Sequence, residues 1–267
     1  MTDFETSLTA LPSRWKRPSA FWLVIAIAFL VFFIHGAAAS DLTPQRLFRG
    51  IFRLGDFLQQ AFPPSPNRFG SIVRSTIETF EIALVGTVGG ALLSLPLALL
   101  AAKNTTPHSV VHSASRSFIA LLRVIPDLIW GLIFIVVVGL GAAPGILAIA
   151  VDTIGFCGKF FAERIEEVDP GPVEALRALG APESGIVAGA IVPAVLPSFV
   201  ATSLFALESS VRSAVVLGLV GAGGIGVELQ TSMQLLRYDE ALTIILVIFA
   251  VVTAVERLSA AIRRAVI

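Results

Sequence analysis

Two charged residues sit one helical turn apart inside a long apolar run: Glu208 and Arg212, within residues 191–217. An ionisable side chain at membrane depth costs about 2.5–3.5 kcal/mol to insert, so it faces a bundle interior or an aqueous path. Two readings fit the pair. Either Arg212 lines a path and offers its planar fork to an oxyanion, with Glu208 orienting it, or the two satisfy each other and fix helix packing. Arg123 with Asp127, and Arg74 with Glu78, repeat the spacing nearer the ends of their runs and read as packing or interface pairs. Glu81 has no local partner and is a further candidate for the path. Asp152 and Lys159, two turns apart, can pair only through a neighbouring helix.

Catalytic chemistry is not expected, and neither is a metal or cofactor. Lys159 is followed by Phe160, so no G-x-x-x-x-G-K-[ST] phosphate loop occurs, and H-E-x-x-H is absent. His108 and His112 have the spacing of helical metal ligands but lack a third. The lone cysteine, Cys157, rules out a disulfide framework. Gly221-Ala222-Gly223-Gly224-Ile225-Gly226 matches the dinucleotide fingerprint G-x-G-x-x-G, which works only within a strand–turn–helix unit. Here the preceding apolar run reaches back to Ile191, far beyond strand length. The glycines Gly221, Gly223, Gly224 and Gly226 are expected to form a close-packed turn or gate near the external surface. An anion-binding nest of successive amides is the alternative.

The elements that must position these residues are membrane spans. The 267 residues are 55% hydrophobic and 14% charged, with a mean hydropathy of +0.87; about a quarter are charged in an average soluble domain. The formal net charge of zero gives no reason to expect nucleic acid. A span needs about 20 mostly apolar residues. Six runs qualify: 20–39, 72–102, 117–140, 144–161, 191–217 and 241–262. The first reads as a retained anchor after a cytoplasmic segment 1–19; a signal peptide cleaved near Ala37-Ala38-Ala39 is the alternative. Within 40–71, Arg46, Arg49, Arg53 and Asp56 alternate with Leu47, Phe48, Ile51, Phe52, Leu54 and Phe57, the pattern of an external interfacial helix. With the N-terminus inside, twelve of the nineteen Lys and Arg residues gather at cytoplasmic ends, among them Arg14, Lys16, Arg17, Arg177 and Arg263.

Between the fourth and fifth full spans lies a short polar helix, 172–180, that carries Glu174-Ala175-Leu176-Arg177-Ala178-Leu179-Gly180. Pro172 suits its first turn, Asp169 lies near its start and Gly180 suits its stop. Glu166, Glu167 and Asp169 just before it read as a solvated face or a contact with a partner. The spacing to Pro193 resembles the EAA loop of ABC-importer permeases, with Leu176 replacing the second Ala and Ala190 and Val192 replacing an Ile and a Leu. The resemblance implies that Glu174, Ala175, Leu176, Arg177 and Gly180 form a coupling helix seated in a cleft of a cytoplasmic ATPase.

From Leu95 onward the chain resembles the phosphonate-importer permease family. The residues that carry this are Leu95 to Asn104, Arg123-Val124-Ile125-Pro126-Asp127, and the block from Glu208 to Gly226. The resemblance implies an all-α integral membrane protein of type I ABC-importer permease architecture, with its membrane core over 72–267. It also implies a permease dimer, formed by two copies of one chain, in a prokaryotic inner membrane. Two ATPase subunits and an extracytoplasmic phosphonate-binding protein are its implied partners, and phosphonate, phosphite, hypophosphite or phosphate its implied cargo. A secondary transporter with Glu81 and Asp152 as proton sites is the competing reading; it predicts inverted repeats, and none is visible in the sequence.

Overall fold

The computed structural model describes residues 19–40 and 43–266. Arg14, Lys16 and Arg17, on which part of the orientation argument rests, lie outside them. The chain divides into two compact units, Met1–Gln59 and Gln60–Ile267. In the first unit, α1 (Ala20–Ala39) is apolar on all sides and has no buried residue. It is followed by α2, which begins at Pro44 and closes at Ala61, just inside the second unit, before Pro63 and Pro64. Leu47, Phe48, Ile51 and Phe52 are exposed along one side of α2, with an arginine row at 46, 49 and 53 on another, as the expected periodicity requires.

The second unit is a helical bundle built on α3 (Phe69–Ala101) and α6 (Ala142–Glu166). Small residues let these helices touch. A Cβ on Gly86 would fall 2.9 Å from the Ile146 carbonyl oxygen, and one on Gly90 would fall 2.6 Å from that of Ala150. In a setting without a hydrophobic driving force between helices, such close backbone approach supplies the packing energy.

The run 117–140 is not one straight span. It is α4 (Ser109–Val124) and α5 (Asp127–Val138), bent by 88° at Ile125-Pro126. Pro126 drives Ile125 into an extended conformation at ψ 119°, and the Asp127 carboxylate accepts the Leu128 amide to restart the helix. The pair still crosses the bundle. Arg116 on α4 bonds the Ala101 carbonyl and Glu166, at one end, while Gly141 beyond α5 donates to Gly221 at the other. Among the described residues five helices are long and apolar enough to span, and the bent pair, counted as one crossing, makes six.

At the end marked by Glu166 the chain turns through α7 (Pro170–Ala178) and α8 (Glu183–Ile186) into a π-helical stretch, Val187–Ile191, and then α9 (Val192–Gly218). Pro193 has no N–H to return to the Gly189 carbonyl, and Val192 bonds back five residues to Val187 instead. At the opposite end α10 (Ile225–Gln234) leads into α11 (Tyr238–Val266), which packs along α9.

Candidate functional site

Local bonds hold α7 at both ends. Asp169 Oδ1 accepts the Gly171 amide at 3.0 Å, and Pro170 takes the first helical position, where a missing N–H costs nothing. At the other end Gly180 has φ +77°, its amide donates to the Arg177 carbonyl, and the Ala181 amide donates to Leu176. These are the paired closing bonds of a glycine-terminated helix. The helix therefore starts two residues earlier than the expected 172–180 and ends before Gly180, because Asp169-Pro170 supplies an earlier cap.

Val173 and Leu176, one turn apart, anchor α7 to the bundle. Val173 packs against the core cluster of Ile165, Ile191 and Val195, and Leu176 Cδ1 comes within 3.4 Å of a Cβ placed on Gly189 in the π-helical stretch. The remaining face presents Glu174, Ala175 and Arg177, and beyond them Leu179 at 83% exposure. A single ion pair, Arg177 to Glu183 at 3.3 Å, lies beside it. The acidic residues before α7 are not a free solvated face. Glu166 accepts from the Lys103 amide and pairs with Arg116, Glu167 pairs with Arg164, and Asp169 is the cap.

Glu208 and Arg212 come together with two residues that sequence spacing did not connect to them, Glu256 and Arg263 of α11. Arg212 Nη2 lies 3.5 Å from Glu208, its Nη1 donates to Glu256, and Arg263 reaches the other Glu208 oxygen at 3.4 Å. Two cations and two carboxylates form one neutral chain of charge between α9 and α11. Glu208 is the most enclosed, with 14% of its side chain exposed against 44% for Arg212. The α9 part of the quartet lies level with the middle of α3. Thr87, near the middle of α3, donates to Ser210 at 2.8 Å, and Ser210 lies between Glu208 and Arg212 in the chain. The one sequence signal for the missed pair is charge at 256 and 263, two turns apart, late in an apolar run. Glu81 is not part of this arrangement: it is exposed on α3 and enters no ion pair among the described residues. Arg74–Glu78 and Arg123–Asp127 likewise form no direct ion pair among the described residues.

The glycine turn is close-packed against the bundle, as expected, and mostly buried. Gly221, Gly223 and Gly224 have φ of +100°, +82° and +73°, and Ala222 through Gly226 are all buried. The Ile225 amide donates to Thr79 Oγ1 at 2.7 Å. Thr79 is ten residues into α3, about 15 Å along its axis, because α9 ends well short of the end of α3. A Cβ at Gly224 would meet that same Oγ1 at 2.4 Å. Gly226 is not in the turn but is the second residue of α10, where a Cβ would strike the Val215 carbonyl at 2.1 Å. A Glu78 carboxylate oxygen lies 2.9 Å from a Cβ placed on Gly223, so an anion in a nest of these amides would face a like charge.

Residues 94–267 match the family described as binding-protein-dependent transport system inner membrane component. The chain belongs to this family. The permease is 39% identical to the phosphite transport system permease protein PtxC of Stutzerimonas stutzeri, over 90% of its own length and 87% of PtxC. It is 41% identical to the phosphate-import permease protein PhnE of Mycolicibacterium smegmatis over 86% of its length, and spans 43% of that relative. Its fold is that of the type I importer permeases: an inward-facing structure of the MetNI methionine ABC transporter superposes with a TM-score of 0.66 at 23% identity, over 76% of the permease and 99% of that chain. The permease is therefore a multi-pass membrane component of a transport system.

Proposed function

We propose that the permease is the transmembrane subunit of an ATP-driven importer for a phosphorus oxyanion of the phosphonate and phosphite group. The observation that carries this is α7: a short helix capped at both ends, anchored by Val173 and Leu176, with Glu174, Ala175, Arg177 and Leu179 turned away from the bundle. A helix built to be rigid and to present one mixed face suits a coupling contact with a cytoplasmic ATPase. That assignment places α7 and the N-terminus on the cytoplasmic side. The extent of the similarity to PtxC supports the oxyanion class.

Closure of an ATPase pair would push α7, and the push would enter α9 through Leu176 and the π-helical stretch. Such a stretch is a natural hinge, since its hydrogen bonds are already out of α-helical register. A nucleotide can drive the change only by binding one of two bundle states better than the other. Arg212 would release Glu256 and offer its fork to the oxyanion as the path opens, with Glu208 holding the guanidinium in place. Glu81 would meet the cargo at the wall of the path. A second copy of the permease completes the pathway, and an extracytoplasmic binding protein delivers the oxyanion to the side where the Gly221–Gly224 turn closes the bundle.

The test is uptake of phosphite, phosphate and a phosphonate by cells that carry the permease with its partner subunits. Glu174→Ala and Gly180→Val should each lower uptake about tenfold or more while the protein remains in the membrane and its binding protein still binds the oxyanion. Ordinary uptake in both variants would remove the coupling role.

A further inference from the structure

Three cations line a single cavity at the α7 end of the second unit, and no role described so far uses them together. Arg116 and Arg123 come from α4, Lys159 comes from α6, and the space they surround measures about 300 Å³. The spacing builds it. Residues 116, 119, 120 and 123 form one stripe of α4, and 159 and 162 one stripe of α6. Ala101, Ala120 and Ala162 complete the wall where larger side chains would have filled it.

The cations are unequally compensated. Arg116 donates to the Ala101 carbonyl at 3.1 Å and to Glu166 at 2.9 Å. Lys159 has only a loose contact with Glu163 at 3.7 Å and lies 5.3 Å from the Phe160 ring centroid. Arg123 enters no direct ion pair among the described residues, although its charge acts on Asp152 through space. Arg123, exposed, and Lys159, half-buried, thus sit about two turns, or roughly 10 Å, along their helices from the Arg116–Glu166 pair. Neither cation has a close carboxylate partner among the described residues, and Arg123 Cγ packs over Gly155, where a Cβ would fall 2.8 Å away.

We infer that this cavity between α4 and α6 binds a phosphate group, with Arg123 and Lys159 as its donors at one end and Arg116 at the other. Arginine supplies a planar fork to phosphate oxygens and lysine a point charge. The group can arrive as the headgroup of an anionic lipid, since basic pockets between membrane helices take such headgroups and Phe118 and Leu121 beside the stripe are exposed for acyl chains. It can equally arrive as a free phosphorus oxyanion. The site is separate from the Arg212 quartet, and its test is binding, so it stands or falls independently of the transport mechanism.

The experiment uses the full-length permease, purified in a neutral detergent, with two probes: radiolabelled orthophosphate by equilibrium dialysis, and phosphatidylglycerol against phosphatidylcholine by retention in native mass spectrometry. The wild type should bind at least one phosphate probe, and Arg123→Gln with Lys159→Gln should weaken it by about tenfold or more, equivalent to about 1.4 kcal/mol. Lys159→Arg should restore most of the binding. Ala120→Leu, at an exposed position, fills the cavity without changing its charge and should weaken binding in the same way, which covers a double variant that fails to fold. Orthophosphate binding identifies a free-ion site, and selective phosphatidylglycerol retention identifies a headgroup site. Absence of both in the wild type, or binding unaltered by Ala120→Leu and by the double variant, would overturn the assignment.

Discussion

α7 and the α9–α11 quartet are both charged, yet they are constructed in opposite ways. α7 is nine residues closed by its own neighbours, Asp169 at the start and Gly180 at the stop, and two side chains moor it to the bundle. The quartet has no local logic beyond Glu208–Arg212; Glu256 and Arg263 arrive from 44 and 55 residues away. An exposed helix with local caps can move as a piece without disturbing the core. A chain of part-enclosed charges between two spans couples their positions, because losing one member leaves another uncompensated. On the proposed function, the difference separates a transmitting element from a holding one.

The comparison is broken most severely at Glu208. Glu208→Ala leaves Arg212 with one partner and Arg263 with none of the four, and should destabilise the bundle by about 2 kcal/mol, below the roughly 3–5 kcal/mol of a fully buried pair because the arginines are partly solvated. A melting curve in detergent measures it; an unchanged midpoint would mean the quartet does not hold α9 to α11. Combining it with Arg263→Ala should cost clearly less than the sum of the two single changes, by about 0.5–3 kcal/mol as expected for residues in one network.

Gly180→Val acts on the other region. A branched residue at φ +77° costs about 1–2 kcal/mol, enough to lower ATP-dependent uptake about tenfold. The melting midpoint should barely move, because α7 contributes little to the core. A fall in midpoint as large as that of Glu208→Ala would erase the distinction between the two regions. Asp169→Ala removes the α7 cap, a loss of about 1 kcal/mol, and should reduce uptake several-fold, again without a shift in melting. The smallest effect is expected for Glu183→Gln, which breaks only the exposed Arg177–Glu183 pair, an interaction of about 0–1 kcal/mol. Uptake close to wild type would place the coupling face on α7 itself; a loss as large as that of Gly180→Val would move it to the Arg177–Glu183 contact.

The sequence by itself determined whatever depends on near neighbours. Runs of twenty apolar residues announce spans, Pro-x-Pro before Glu174 with Gly180 after it announces a capped helix, and alternation of arginines with Leu47, Phe48 and Ile51 announces an amphipathic one. Propensity, capping and periodicity act within a turn or two, so they can be read along the chain. Tertiary structure decided what depends on depth and on other helices. A run of the right length, 117–140, turned out to be bent at Pro126, since apolar composition does not reveal an 88° break. The glycine turn packs against Thr79 because α9 ends short of the start of α3, a relation between two helices that neither one encodes. Glu208 and Arg212 look self-sufficient at i,i+4, yet α11 supplies half of their charge balance. Long-range electrostatics and packing are settled by which helices meet and at what height, and that is fixed only when the bundle closes.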